Sequence, residues 1–237
     1  MATAQSLLRV ARAHLGEKYV LGTMVPKGNP DWSGPWDCAE FASWCVFQTT
    51  GSLFGCRPKR GNPNVADAYT GYWMDDAKST GKMISVGQAA ATPGAFLLRA
   101  PGRGGRVMGH IVISAGGGRT VEAHSTKRGV IESTVDGRRW TTGVLVPDVD
   151  VAVREVVGPP RRPALVLRVK QPAMKGELVK RVQRKLTQLR FHPGPVDGVY
   201  GAQTAAAAQA FQVSRGLLAD GEVGAATAKA LRVEWVS

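Results

Sequence analysis

The sequence predicts an α+β domain, in which helices precede an antiparallel sheet, followed by a small all-α module of three helices. Apolar residues recur at helical spacing near the N-terminus, short apolar runs follow between residues 94 and 146, and helical spacing returns after residue 165. Helices first and strands later is the order typical of an α+β domain. We therefore expect one domain at residues 1–150 and a second at residues 165–237.

A linker is expected between the two domains, at residues 151–164. This segment contains the run GPPRRP and shows no apolar periodicity. Proline-rich, charged sequence of this kind is typical of an extended spacer.

Two helices are predicted in the first domain, one before a Gly/Pro-rich loop at residues 22–35 and one within an irregular region at residues 51–92. One spans residues 6–15, with Ser6 as its cap and Gly16 at its end. The other lies near Val65 to Trp73.

A helix is also predicted to begin at Cys38. Asp37 precedes the apolar run FASWCVF, and Glu40 follows three residues later, which is a capping-box pattern with Asp in place of Ser or Thr. Cys38 is therefore expected in the first turn of that helix.

Five short runs after Gly94 predict the strands of a single antiparallel sheet. Gly and Arg clusters separate them, as turns separate strands. The runs are AFLL, HIVIS, TVEAHS, GVIES and TGVLVP.

The second domain contains a short internal duplication. The pattern D-G-x-x-G-x-x-T occurs at residues 197–204 and again at 220–227, each time before a predicted helix, at 204–213 and 225–231. A first helix is indicated by an apolar stripe, and Thr204 and Thr227 are predicted caps of the two later ones. The stripe consists of Leu178, Val182, Leu186 and Leu189.

The charge favours anionic partners. The 237 residues carry a formal charge of +13, of which +8 falls in residues 151–237. Nucleic acid, lipid headgroups and acidic wall polymers all attract such a chain. No nucleic-acid-binding motif, no membrane-length apolar window and no apolar core of a signal peptide is recognised. We therefore expect no nucleic-acid partner, no membrane insertion and no signal peptide.

The three cysteines are an odd number, which excludes a complete disulfide framework. A single bridge between Cys45 and Cys56 stays open. Otherwise Cys45 is expected in the core of its helix, and Cys56 is expected in a loop as an exposed thiol.

Cys38 and His110 are the candidate catalytic pair. A thiol attacks as its thiolate, and a helix N-terminus or a nearby imidazolium favours that form. His110 opens the strand HIVIS, and Glu122 and His124 share one face of the next strand because side chains alternate. Either of these two residues would orient His110. One Cys and one His taken alone are weak evidence, because a buried structural Cys is commoner.

The other two histidines are given no chemistry. His14 lies on the apolar stripe of the first helix, which favours a structural role, and His192 lies in a predicted turn of the second domain.

Residues 10–146 resemble the NlpC/P60 family of papain-like cell-wall cysteine peptidases. The order of short motifs carries the resemblance: Tyr19-Val-Leu-Gly22, then DCAEF at 37–41, PGAF at 93–96, HIVI at 110–113 and VEAHS at 121–125. It implies that Cys38 is the nucleophile, His110 the base and Glu122, in preference to His124, the third residue. The backbone N–H of Cys38 is the expected oxyanion donor.

The chain departs from the family pattern beside the nucleophile. Ala39 and Glu40 replace the usual Ser-Gly, and Ala95 replaces an acid. In the family that Ser and the preceding Asp are thought to hold the free amine of the stem peptide. Asp37 and Tyr19 are therefore the substrate-binding candidates that remain.

Residues 165–237 resemble the three-helix peptidoglycan-binding domain found on many wall hydrolases. The resemblance rests on LVKRVQRKL at 178–186, DGVYGAQT at 197–204 and AFQ at 210–212. Tyr200, Gln203 and Arg215 are the ligand contacts that we expect from it.

Together the two resemblances imply a monomeric peptidoglycan hydrolase that cuts an amide bond of the stem peptide without a metal or other cofactor. A wall-lytic chain without a signal peptide suggests a phage endolysin. It would stay in the host cytoplasm until a holin-type protein opens the membrane, and then act on the wall.

Four alternatives remain. The same Cys-His-polar triad would serve an N-acetylmuramoyl-L-alanine amidase. A non-catalytic wall-binding or virion structural protein would leave Cys38 merely buried. A zinc hydrolase would use Cys38, His110 and His124, although H-E-x-x-H and paired C-x-x-C spacings are missing. Charge alone would also suit a nucleic-acid binder.

Overall fold

The computed structural model of the chain describes residues 2–80, 82–102, 108–153 and 165–235. It divides into two compact units, Met1–Val135 with Trp140–Pro160, and Asp136–Arg139 with Arg161–Ser237. Residues 154–164 of the predicted linker lie outside the described residues, so the linker stays a prediction.

The first helix, α1, spans Ala4–Arg12 and begins earlier than predicted. Its cap is Thr3 and not Ser6: the Thr3 hydroxyl accepts the Ser6 N–H at 3.1 Å, and the Ser6 hydroxyl accepts the Thr3 N–H at 2.9 Å. This reciprocal pair satisfies two amides that the helix start would otherwise leave without acceptors. Ser6 was therefore correctly placed at the helix start but in the wrong role.

Helix α2, Cys38–Thr50, lies at the centre of the first unit. Asp37 Oδ1 accepts the Glu40 N–H at 2.8 Å at its start, and Gly51 adopts a left-handed φ of 74° at its end. Its residues are buried from Cys38 to Val46, because the helix packs against two strands of the sheet. A helix buried on all sides is positioned by the core and not by one amphipathic face.

Helix α3 spans Thr70–Thr80, several residues after the predicted helix near Val65 to Trp73. A 3₁₀ turn covers Pro63–Val65, and β3 (Asp67–Ala68) then pairs antiparallel with β2 (Cys56–Arg57). Backbone that is committed to a strand pair cannot be helical, so the helix starts only after that pair.

The sheet of the first unit has six strands, each antiparallel to its neighbours. The order across the sheet is β4-β9-β5-β6-β7-β8, so the five predicted runs are confirmed and a short edge strand is added. The strands are β4 (Met83–Ile84), β5 (Phe96–Arg99), β6 (His110–Gly116), β7 (Arg119–Ser125), β8 (Gly129–Thr134) and β9 (Thr142–Val144).

The sheet is covered on both faces. Helix α2 packs against β6 and β7, in a core that includes Phe41, Ile111 and Val121. Helix α4, Val86–Ala91, covers the alternate residues, among them Leu97 and Val112. A parallel pair, β1 (Ala2–Thr3) with β10 (Val149–Asp150), completes the unit.

The second unit contains three helices, as predicted: α5 (Glu177–Gln188), α6 (Ala202–Arg215) and α7 (Ala225–Leu231). Their core includes Val182 and Phe211. The α+β and three-helix expectations are confirmed. None of the helices in the described part of the chain combines the length and apolar character that crossing a bilayer requires.

Two buried glutamines explain the duplicated turn. The Gln183 amide nitrogen donates to Asp197 Oδ1 at 2.9 Å and to Thr204 Oγ1 at 3.2 Å, and its oxygen accepts the Gly198 N–H at 2.9 Å. One glutamine side chain therefore binds the aspartate, the glycine and the threonine of the first D-G-x-x-G-x-x-T turn.

Gln212 repeats the arrangement in the second turn. Its amide nitrogen donates to Asp220 Oδ1 at 2.8 Å and to Thr227 Oγ1 at 3.1 Å, and its oxygen accepts the Gly221 N–H at 2.8 Å. The duplication is therefore one hydrogen-bonded device used twice.

The predicted capping by Thr204 and Thr227 was wrong. The caps are Gly201 and Gly224, neither of which makes a side-chain cap bond. Both threonines lie inside their helices with buried hydroxyls that bind the glutamines. The side-chain amides of Gln183 and Gln212 are buried and need acceptors, and they use the threonine hydroxyls that helix capping would otherwise have used.

We expect Gln212→Met to destabilise the second unit by about 1–3 kcal/mol, because it leaves the Gly221 N–H buried without an acceptor. Gln209→Met on the same helix, where one exposed bond to Ala219 is lost, should change stability by less than about 0.5 kcal/mol. Calorimetric unfolding of the two variants measures both effects. Equal unfolding temperatures would contradict the role assigned to Gln212.

Candidate active site

Cys38 occupies the first position of α2, against the start of β6. The backbone N–H of Ile111, which follows His110 in the strand, hydrogen-bonds the Cys38 thiol. Cys38 as a whole is 7% exposed. Amides in the first turn of a helix have no intrahelical acceptor, so the Cys38 N–H points where an anion would be stabilised.

His110 is held by Glu122. The Nε2 atom of His110 lies 2.7 Å from Glu122 Oε2, and both side chains are buried. Thr120 donates its hydroxyl to the other carboxylate oxygen, Oε1, at 2.8 Å. With Nε2 bonded to the carboxylate, Nδ1 is the ring nitrogen on the side away from Glu122. A buried carboxylate at this distance stabilises the imidazolium form.

His124 packs edge-on against the His110 ring, whereas Glu122 is hydrogen-bonded to it. The centroids of His110 and His124 are 6.5 Å apart in an edge arrangement, and His124 Nδ1 lies 3.1 Å from Ser125 Oγ. Trp140 lies near His110 as well, with centroids 6.1 Å apart and the rings tilted by 32°. Of the two orienting candidates from the sequence, Glu122 makes the hydrogen bond to Nε2.

Tyr19 and Asp37 lie close to the thiol. Burial raises the pKa of Tyr19, and the neighbouring Cys38 and Asp37 side chains add to that rise, so the phenol stays protonated. Asp37 Oδ2 accepts the Gly22 N–H at 3.3 Å, while Oδ1 caps the helix. Burial raises the pKa of Asp37, and the amides that it accepts oppose that rise. Both oxygens of Asp37 thus already serve the backbone.

The Cys38 thiol is neutral in this arrangement. Burial, and after it the charge of Asp37, raises the pKa of Cys38 to about 12. The Ile111 N–H and the guanidinium of Arg99 act in the opposite direction. Since the thiol does not ionise by itself near neutral pH, a base has to remove its proton when it reacts.

Arg99 is a site residue that the sequence analysis missed. It lies at the end of β5, directly opposite His110 in the strand pairing, and it is buried. The sequence feature that could have indicated it is an arginine directly after the apolar run FLL, in the strand predicted before the one that begins with His110. Gly109 was missed too: an added Cβ there would overlap the Thr70 side chain, so only glycine fits before His110.

Glu40 does not complete a capping box, which corrects the sequence interpretation. Its carboxylate is turned into the protein, where Oε1 accepts the Ala68 N–H at 2.8 Å and Oε2 accepts the Val25 N–H at 3.0 Å. The ammonium of Lys27 also binds Oε2, and both charged side chains are 0% exposed. Burial raises the pKa of Glu40, and Lys27 opposes that rise.

The structure agrees with the predictions for Cys45 and His14 and differs from the prediction for Cys56. Cys45 and Cys56 are free thiols, and Cys56 is buried against the expectation of an exposed loop position. His14 packs edge-on against Trp36 and Trp44 and has the structural role that was expected.

The three ligand contacts predicted in the second unit do not come together. Tyr200 is buried and donates its hydroxyl to Gly221 O at 3.0 Å, so it is a core residue, which corrects its assignment. Gln203 and Arg215 are exposed but occupy opposite ends of α6, about 18 Å apart at 1.5 Å per residue. Among the described residues, no three His, Cys, Asp or Glu side chains are grouped as metal ligands would be.

A comparison with protein families matches the second unit. Residues 175–231 fit the family described as "Putative peptidoglycan binding domain". That segment covers the three helices α5 to α7 and both glutamine-centred turns.

Curated relatives share part of the chain. The N-acetylmuramoyl-L-alanine amidase CwlL of Bacillus licheniformis is 40% identical over 76 residues, which is 30% of this chain and 21% of the relative. The N-acetylmuramoyl-L-alanine amidase CwlA of Bacillus subtilis is 41% identical over 64 residues, or 24% of each chain. The chain thus spans about a quarter or less of the length of these relatives.

Solved structures align with about three fifths of the chain. The NlpC/p60 domain of the peptidoglycan hydrolase SagA aligns with a TM-score of 0.42 at 22% identity, over 61% of this chain and 99% of that one. The peptidoglycan hydrolase RipB from Mycobacterium tuberculosis aligns at 0.41 and 19%, over 60% and 63%.

We expect Lys27→Met to lower the free energy of unfolding by about 3–5 kcal/mol, because the Glu40 carboxylate stays buried without its cation. Lys27→Met/Glu40→Leu should recover part of that loss by removing both charges. Arg12→Gln, which breaks the exposed pair with Glu132, should cost less than about 1 kcal/mol. Urea denaturation followed by circular dichroism ranks the variants. A double variant less stable than the single one would contradict this account.

Proposed function

We propose that the chain is a cysteine peptidoglycan hydrolase of the NlpC/P60 type that cleaves an amide bond of the stem peptide. The observation that carries the proposal is the Glu122–His110 pair on β6 and β7, at the strand position where the thiol of Cys38 lies. A wall-binding module in the same chain, residues 175–231, supports peptidoglycan as the substrate.

The geometry supports the following sequence of steps. His110 takes the Cys38 proton as the sulfur attacks the amide carbonyl carbon, and Glu122 stabilises the resulting imidazolium. The Cys38 N–H at the helix start stabilises the oxyanion. Collapse breaks the C–N bond, and His110 returns the proton to the leaving amine. Water, activated by His110, then hydrolyses the thioester.

A second candidate is an N-acetylmuramoyl-L-alanine amidase that uses the same residues. Recognition of the free amine of a stem peptide needs an acceptor beside the nucleophile. Ala39 offers none, and both Asp37 oxygens accept backbone N–H groups. Two relatives that match 30% and 24% of this chain are named as N-acetylmuramoyl-L-alanine amidases. The two candidates differ in the bond that is cut and not in the chemistry.

We further propose that the protein is a phage endolysin that acts as a monomer. It would stay in the host cytoplasm until a holin-type protein opens the membrane, and then reach the wall. The net charge of +13 suits adsorption to anionic wall polymers after that release.

We expect Cys38→Ala to abolish digestion of purified cell walls, because no other group replaces the sulfur nucleophile. Cys45→Ala, which removes another buried thiol from the same helix, should retain activity. Mass analysis of the released fragments identifies the bond: new peptide termini within the stem indicate the endopeptidase, and stems released whole from muramic acid indicate the amidase. Lysis by Cys38→Ala at the wild-type rate would support a non-catalytic role for Cys38.

We expect Glu122→Gln to lower kcat by about 10²–10⁴-fold, the range that general base catalysis contributes, because the neutral amide lacks the carboxylate charge that stabilises the imidazolium. His124→Gln should have a much smaller effect, since the carboxylate that bonds Nε2 of His110 belongs to Glu122. Steady-state turnover of soluble muropeptides measures both. The opposite ranking would assign the orienting role to His124.

A further inference from the structure

A cavity of about 520 Å³ in the second unit lies where its three helices end. Its lining comes from the last turn of α5, from the end of α6 and from the end of α7. Leu189, Leu217 and Leu231 contribute apolar surface, and Lys185, Arg215 and Arg232 contribute cations. Leu189, expected in the core from its spacing, is 37% exposed here. The cavity is therefore an apolar pocket bordered by positive charge.

The helix ends account for only part of this charge. The C-terminal end of a helix carries about half a negative charge, and cations are favoured beside it. Three full positive charges exceed the charge of about −1.5 from three such ends. No acidic side chain occurs among the described residues that line the cavity. The cavity is thus positive overall and suited to an anionic group.

Arg232 lines the cavity from the position that ends α7. Arg232 caps α7 in the left-handed region, with φ 56° and ψ 43°. Glycine is the usual residue there because it has no Cβ to strain the conformation, and Gly216 fills the equivalent position of α6. Arginine at such a position adds strain that glycine would avoid. Arg190, which follows α5, adopts the same region with φ 65° and does not line the cavity, so what distinguishes Arg232 is its place in the lining.

We propose that this cavity binds the peptide stem of peptidoglycan, with a stem carboxylate held by Lys185, Arg215 and Arg232. Stem peptides carry free carboxylates and alanine methyl groups, which match the cationic border and the leucine surface. The sugar rings are N-acetylated and neutral, and the lactyl carboxyl group of muramic acid is in amide linkage wherever a stem is attached, so the stem-bearing glycan offers the cations no charge. Phosphate-linked wall polymers offer charge but no small apolar side chain for the leucines. The inference rests on the proposed function only in taking the ligand from the cell wall.

The test uses the full chain carrying Cys38→Ala, so that binding is measured without hydrolysis. Titration calorimetry with soluble stem tetrapeptide compares it with the same chain carrying Lys185→Gln, Arg215→Gln and Arg232→Gln together. We expect the triple change to weaken binding at least 10-fold, and a peptide with its carboxylates esterified to bind the unchanged cavity equally weakly. Arg184→Gln is the matched control on α5, because Arg184 pairs with Glu177 and does not line the cavity.

Circular dichroism establishes that the triple variant is folded, which is expected because Arg215 and Arg232 are exposed and Lys185 is half-buried. Unchanged affinity in the folded triple variant overturns the proposal. So does competition by N-acetylglucosamine oligosaccharides, which carry no carboxylate, or by a phosphate-linked wall polymer, if it is as effective as that by the tetrapeptide. A failure of wild-type protein to digest walls would refute the proposed function alone, because the binding measurement does not depend on hydrolysis.

Discussion

The buried carboxylate of Glu40 is the constraint on which the candidate active site depends. It lies two residues after Cys38, in the first turn of α2. An ionised group without water needs partners from the protein, and here they come from the segment at Val25 and Lys27 and from the strand at Ala68. Two distant segments are thereby attached to the helical turn that begins with Cys38.

That attachment also determines the surroundings of the thiol. The segment that leads to Val25 includes Tyr19 and Gly22, which lie against Asp37 and Cys38. Cys38 is consequently buried, and burial disfavours its thiolate form. In the proposed mechanism, ionisation of the thiol therefore depends on the opposite side of the site, where the Glu122–His110 pair and Arg99 lie on the sheet.

Short sequence patterns correctly predicted the features that depend only on neighbouring residues. The run of strands, the Asp37 cap and the place of Cys38 follow from spacing that a few neighbouring residues set. Glu40 was misread because Asp-x-x-Glu describes a capping box equally well, and nothing nearby in sequence announces that Lys27 reaches the same carboxylate. The choice between Glu122 and His124 was likewise undecidable from strand alternation, since both share a face. Only the folded sheet separates the residue that bonds Nε2 from its neighbour.

The second unit shows why the residues that make a module recognisable need not be those that bind its ligand. The aspartate, glycine and threonine of each repeated turn are hydrogen-bonded by Gln183 or Gln212. Tyr200, within the first turn, is buried with its hydroxyl on Gly221. Groups already committed to folding in this way cannot also make strong polar contacts with a wall polymer. Recognition has to come from side chains outside the pattern, and the cations at the helix ends are residues of that kind.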